Sequence, residues 1–143
     1  MNKSTKEIEN RIDKMKDQND LENFLKEYHE PTLLRKMEEL VEKYNVKLSK
    51  IQVDSGISRS LFYAMISGSR TPKKQHVLRI AFALNLSLEE TNELLKIAKL
   101  KELYAKNKED AVILFGLKNN LSIYQIDELL KEIKSDLRLS DGE

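Results

Sequence analysis

Between Val46 and Pro72 an apolar pattern with a helical period is broken at Gly56 and then resumes. Val46, Ile51 and Val53 supply the apolar positions before the break, and Ile57, Phe62, Met65 and Ile66 those after it. Gly56 stands where a sharp turn needs positive φ, which glycine adopts without steric cost. Ser58 is placed to cap a new helix, its hydroxyl accepting from the first free amide groups. The stretch therefore reads as helix, turn, helix. On the outer side of the second helix Arg59, Ser60, Tyr63 and Ser67 share one face. A cation, hydroxyls and a phenol at one helix N-terminus suit the reading of base edges and phosphates.

Two short helices held at an angle need bracing, and the rest of the chain offers only helices for it. Four Gly and two Pro in 143 residues leave little for a turn-rich β fold. With 40% hydrophobic and 34% charged residues, a core with exposed charged helix faces is expected, and the fold class is all-α. Absence of Cys excludes disulfides and thiolate metal sites. The start, MNKSTKEIENRIDKMK, lacks the apolar centre of a signal peptide, and no apolar run reaches the length of a membrane span. A cytoplasmic protein without membrane contact is expected.

The chain divides at sequence level into a helical arm over 1–30, a helix-turn-helix domain over 31–103 and a helical extension over 104–143. In the arm, Ser4 with Glu7 has capping-box spacing, followed by a thin stripe of Ile8, Ile12 and Met15. Asp20 is a second candidate N-cap, ahead of Leu21, Phe24, Leu25 and Tyr28. The first arm helix is left open between a dimer contact and a frayed end. Pro31 suits the first turn of the next helix, with Leu33, Leu34, Met37, Leu40, Val41 and Tyr44 inward and Asn45 as its stop. After the central pair, Gly68-Ser69-Arg70-Thr71-Pro72 forms a loop. A helix over Gln75 to Leu84 follows, then one over Leu88 to Leu103 opened by the capping box Ser87–Glu90.

Charge is unevenly placed. From Val46 to Ile80 stand Lys47, Lys50, Arg59, Arg70, Lys73, Lys74 and Arg79 against Asp54 alone, a local balance of +6 in a chain of net charge +1. The positive charge of a near-neutral protein thus gathers on the segment that carries the turn.

From Val46 to Glu89, DSGISRS across the turn, the G-S-R-T-P loop and VLRIAFALNLSLEE together resemble the phage-repressor-like helix-turn-helix regulators, the Cro/CI or XRE type. The resemblance covers roughly a third of the chain. It implies a lambda-repressor-like fold whose second helix of the pair lies in the major groove of double-stranded DNA. Carried onto this sequence, it puts Arg59, Ser60, Tyr63 and Ala64 at base-facing positions and Ser67 and Arg70 at phosphate-facing ones. Lys47 and Ser49 fall where members touch the backbone, and Lys73 joins them as a phosphate contact. Members commonly act as dimers, so a homodimer on a two-fold site is implied. Leu48 departs from the pattern, standing where many members carry a phosphate-binding glutamine. Leu61 and Ile66 make the recognition helix more apolar than usual, as contacts to a thymine methyl or as part of a protein-binding face. The alternative function is accordingly an adaptor, a helix-turn-helix fold turned to protein partners in a phage or defence system.

The extension echoes the domain. LNLSLEETNELLK at Leu84 to Lys96 returns as NNLSIYQIDELLK at Asn119 to Lys131, each behind an apolar helix, at an offset of about 35 residues. Ser122 with Gln125 repeats the capping box, and Asn107 opens the helix before it. The echoed pair reads as core, or as a dimer or effector surface built from Ile113, Phe115, Leu117, Tyr124 and Leu129. Residues 135–143 read as a loose tail.

Nothing points to catalysis. His29 and His76 lie in different helices without a second ligand at metal spacing, His76 reading as a surface or phosphate-proximal residue. There is no phosphate-cradling glycine loop and no nucleophile beside a base. No cofactor and no metal are expected.

Overall fold

In a computed structural model, which describes residues 4–140, the chain forms helices and, among the described residues, no strands. It separates into two compact units, Met1–Glu30 and Pro31–Glu143.

The first unit holds α1 (Thr5–Asp13) and α2 (Gln18–Glu27). Ser4 caps α1, accepting from the Glu7 amide at 3.1 Å. Asp17, not Asp20, caps α2: its carboxylate accepts from the Asp20 amide at 2.9 Å, while Asp20 accepts from the Lys16 amide. An acid three residues earlier reaches the open amide just as well, so α2 gains a turn over the expected start. Met15 lies beyond the end of α1. Arg11 pairs with Glu27 at 2.8 Å and lies over the Phe24 ring, which stacks on Tyr28. Phe24 is buried, whereas Ile12, Leu21 and Leu25 are exposed.

The second unit begins with α3 (Leu33–Tyr44). Thr32 is its N-cap, accepting from Arg35, so Pro31 precedes the helix rather than occupying its first turn. Asn45 ends it in the left-handed conformation (φ 51°), as expected. Leu34 does not face inward; Met37 and Leu40 carry the burial, with Leu33, Val41 and Tyr44 packed at the margin. Then come α4 (Leu48–Ser55) and α5 (Arg59–Ser67) around the three-residue turn, α6 (Lys74–Leu84) and α7 (Leu88–Ile97). One core joins Met37, Leu40, Ile51, Ile57, Phe62, Met65, Val77, Ile80, Leu94 and Leu95. Val53 is outside it, 67% exposed.

The helix expected to reach Leu103 ends at Ile97. Lys99 turns left-handed (φ 62°), and the Leu103 amide returns to Asn92 Oδ1 at 2.9 Å. Two further helices, α8 (Lys108–Lys118) and α9 (Ile123–Glu132), form a second core of Ile113, Ile126, Leu130 and Leu139 with Leu78 of α6. Gly116 allows their close approach, since a Cβ there would lie 2.0 Å from Ile126 Cδ1. Ile113 is fully buried in this core and cannot serve a dimer surface, while Phe115 and Tyr124 are exposed.

The echo extends to the backbone. Ser87 and Ser122 both head complete capping boxes. Leu86 and Leu121 donate to Ala81 and Gly116 at 3.0 Å each. Lys99 and Lys134 share positive φ, and Leu100 and Ser135 close the same bond onto Leu95 and Leu130. The tail is not loose as far as it is described. The Asp127 carboxylate accepts from the Leu139 amide (2.6 Å), the Ser140 amide (3.0 Å) and the Ser140 hydroxyl, and Leu139 is fully buried. Residues 141–143 of the expected tail lie outside the described residues.

Candidate functional site

Helix α5 has two sharply different sides. Leu61, Phe62, Met65 and Ile66 are buried, each 6% exposed or less. Leu61 and Ile66 are therefore core residues, and the expectation that they meet a thymine methyl or a protein partner is corrected. The helix is short and covered from several directions, so its buried arc is wide. Leu48 likewise packs at the core margin. Arg59, Ser60, Tyr63 and Ser67 are exposed and Ala64 is half-buried.

Arg59, Ser60 and Tyr63 line a shallow concavity. The Arg59 guanidinium lies 5.9 Å from the Tyr63 ring centroid, and that ring meets Phe62 edge-on at 5.3 Å. A cation–π contact at an exposed position contributes only about 0.5–1 kcal/mol. That is enough to bias the guanidinium toward one orientation, and the anchor beneath it is a fully buried ring.

The turn that aims α5 is tied by buried and half-buried polar groups. Gly56 is left-handed (φ 70°), and Ser58 Oγ accepts from the Leu61 amide at 3.3 Å, both as expected. Gln52 Nε2 donates to the Ile57 carbonyl at 2.6 Å. Ser55 Oγ donates to the Gln52 carbonyl and accepts from the Ile57 amide. From α6, Arg79 Nε donates to the Ser55 carbonyl at 2.8 Å. Sequence reasoning missed all three side chains. The available signal was Arg79 itself, a lone charge inside the apolar run VLRIAFAL.

At the other end of α5 the Ala64 carbonyl collects the Arg70 amide, Ser67 Oγ and Ser69 Oγ, each at 3.1 Å. This closes the Gly68-to-Pro72 loop. The Ser67 hydroxyl donates to the Ala64 carbonyl here, so donation to a phosphate requires it to rotate away from that bond.

The seven cations of the basic segment separate into two groups. Arg79 is 8% exposed beneath the turn. Lys74 pairs at 2.5 Å with Asp110, a buried acid at the start of α8 that also accepts from the Tyr104 amide. Lys50 pairs with Asp54 at 3.0 Å. Arg79 is thus withdrawn from the surface and Lys74 is held by a buried acid, while Lys50 stays exposed with its charge offset by Asp54. Lys47, Arg59, Arg70 and Lys73 are exposed, and among the described residues no ion pair engages them. Ser49 is exposed beside Lys47 in the first turn of α4. His76 is buried, not on the surface; its Nδ1 accepts from the Lys73 amide at 3.1 Å and so holds the start of α6.

A second concavity, between α3 and α7, is lined by Lys36, Lys43, Glu89, Glu90 and Glu93. Its central acid is engaged by its own neighbours: Glu90 accepts from Tyr44 Oη (2.6 Å), Lys43 Nζ (2.7 Å) and the Ser87 amide (3.2 Å). Burial pushes the Glu90 carboxyl up, but these donors outweigh it and hold it at about 2, below the ordinary 4.5. The same hydrogen bond raises the Lys43 ammonium. These contacts brace α3 against α7. Among the described residues, no group of three or more His, Asp or Glu is placed to hold a metal, and no helix is long and apolar enough to cross a membrane.

No protein-family model, no curated protein and no solved structure matches this chain.

Proposed function

We propose that this protein is a sequence-specific double-stranded DNA-binding regulator of the phage-repressor-like, XRE-type class, with α5 as its recognition helix. One observation carries the reading. When the core and the ion pairs are set aside, the basic segment keeps four cations, and Arg59 stands on the outer face of α5 while Lys47, Arg70 and Lys73 flank it in sequence on either side. Phosphate neutralisation needs such cations, with no carboxylate of their own chain to neutralise them first. Base reading needs a side chain that projects from a helix with its other side anchored, and Arg59 beside Tyr63 meets that description. Ser60 and Ala64 complete the base-facing surface; Lys47, Ser49, Ser67, Arg70 and Lys73 take phosphates. The protein acts without a cofactor or catalysis, as a cytoplasmic homodimer on a two-fold site.

The adaptor reading rested on Leu61, Tyr63 and Ile66, and two of these are interior. It has less to support it than the groove reading.

Selection from a randomised duplex pool, with the winners retitrated at two salt concentrations, tests the proposal. Enrichment of a palindrome whose affinity falls steeply with salt is expected. Absence of any enriched sequence overturns the regulator reading and directs the search to protein partners.

A further inference from the structure

Arg79 is a strongly basic side chain in a segment rich in positive charge, yet it is withdrawn from solvent. Its place is under the α4–α5 turn. Ser55 is the last residue of α4, so its carbonyl belongs to the negative end of that helix, where a cation is favoured. Arg79 Nε meets that carbonyl at 2.8 Å, and a Cβ on the neighbouring Gly56 would fall 2.7 Å from Nη2. Glycine at 56 therefore answers two demands, the left-handed backbone and the approach of a guanidinium. Gln52 and Ser55 fasten the far side of the same turn to Ile57.

We propose that Arg79 is a positioning residue for duplex recognition: from α6 it fixes the angle at which α5 leaves α4, and so where Arg59, Ser60 and Tyr63 are presented. The proposal rests on the DNA-binding reading of that face. A planar guanidinium with several donors can fix the geometry of a turn; a lysine ammonium, one point charge on a flexible stem, keeps the charge without the constraint. Recognition of base edges depends on that angle, whereas contact with phosphates through Lys47, Arg70 and Lys73 depends on it much less.

Two measurements on the full chain with Arg79→Lys, and with Gly56→Ala to disturb the contact from the other side, test this. The first is affinity for the selected duplex against a scrambled duplex at fixed salt. A loss of tenfold or more on the selected duplex, with less than about twofold on the scrambled one, is expected. Equal losses on both, or no loss, overturn the proposal. The second needs no DNA. Because the chain lacks cysteine, spin labels can be placed through Ser60→Cys and Glu42→Cys, and the distance distribution between α5 and α3 should shift or broaden in either variant. An unchanged distribution in both folded variants overturns positioning whatever the DNA result. A broadened distribution, together with a parent chain that prefers no duplex, overturns the DNA reading and leaves the positioning of α5 standing.

Discussion

Asn85 and Asn120 adopt the same left-handed backbone, φ 52° and 53°, at the same step of two helical hairpins that share a sequence pattern. Each is followed by a leucine that donates back across the helix end and by a serine that caps the next helix. Asn45, at the end of α3, has the same geometry (φ 51°), and Val46 donates back to Val41. This left-handed step is the chain's recurring means of turning from one helix into the next.

The step sets a substitution rule. A side chain with a β-carbon is disfavoured in this conformation by about 1–2 kcal/mol, and asparagine is among the few residues that visit it routinely. Asn85→Ala and Asn120→Ala should each lower the unfolding free energy by about 1 kcal/mol, with Asn120→Gly close to neutral. Urea titration of the three variants checks this, and equal stability of the Ala and Gly forms at position 120 would count against it.

The chain's last described residues should behave as structure. Asp127→Ala strands the amides of Leu139 and Ser140, at a cost of about 1–3 kcal/mol for unsatisfied buried groups. Leu139→Ala should cost about 2–5 kcal/mol, as for other fully buried leucines. Hydrogen exchange at the Leu139 amide gives the direct reading: slow in the parent chain, fast in Asp127→Ala.

The brace between α3 and α7 should make stability depend on acid. The Glu90 carboxyl titrates lower in the folded chain than in the unfolded one, so its contribution is fully present above about 4.5 and is lost as pH falls toward about 2. Glu90→Gln should therefore be less stable at neutral pH, by about 1.5–3 kcal/mol for charge-assisted hydrogen bonds, and should show a shallower acid limb. Denaturant midpoints between pH 7 and pH 2.5 test the slope; parallel curves for the two proteins would exclude this role.

On the proposed DNA face, base and phosphate contacts should separate. Arg59→Ala should cost about 1–3 kcal/mol on the selected duplex and relax base preference, while Lys73→Ala should weaken all duplexes alike and lower the salt slope by about one. Titrations of both variants at several salt concentrations distinguish these effects. Unchanged affinity and preference in Arg59→Ala would show that α5 does not enter the groove.

Much of the local structure was legible because it depends on neighbours in sequence. Gly56, Ser58, Asn45 and the capping boxes at Ser87 and Ser122 all do their work within a few residues. What was misread depends on helices far away along the chain. From His76 to Ala81 every residue of α6 is buried, because α6 is covered from both sides, and a helix so placed shows no polar face to read. His76 was accordingly read as a surface group and Arg79 and Lys74 simply counted with the basic segment, although their partners are the Lys73 amide, Ser55 and Asp110. Leu61 and Ile66 were misplaced for the same reason. Asp17 displaced Asp20 as the cap of α2 because both acids can cap there, and Thr32 caps α3 so that Pro31 falls before the helix instead of in its first turn.

Because α6 gives Val77, Ile80 and Ala81 to one core and Leu78 and Phe82 to the other, the second unit has no natural seam. A fragment ending near Leu103 would keep every group assigned to the DNA face and still carry an uncovered greasy stripe along its central helix. Its fate would be set by solubility before binding could be judged. In this protein the echoed hairpin is one wall of a single building, and the piece that looks separable on paper is a room with that wall removed.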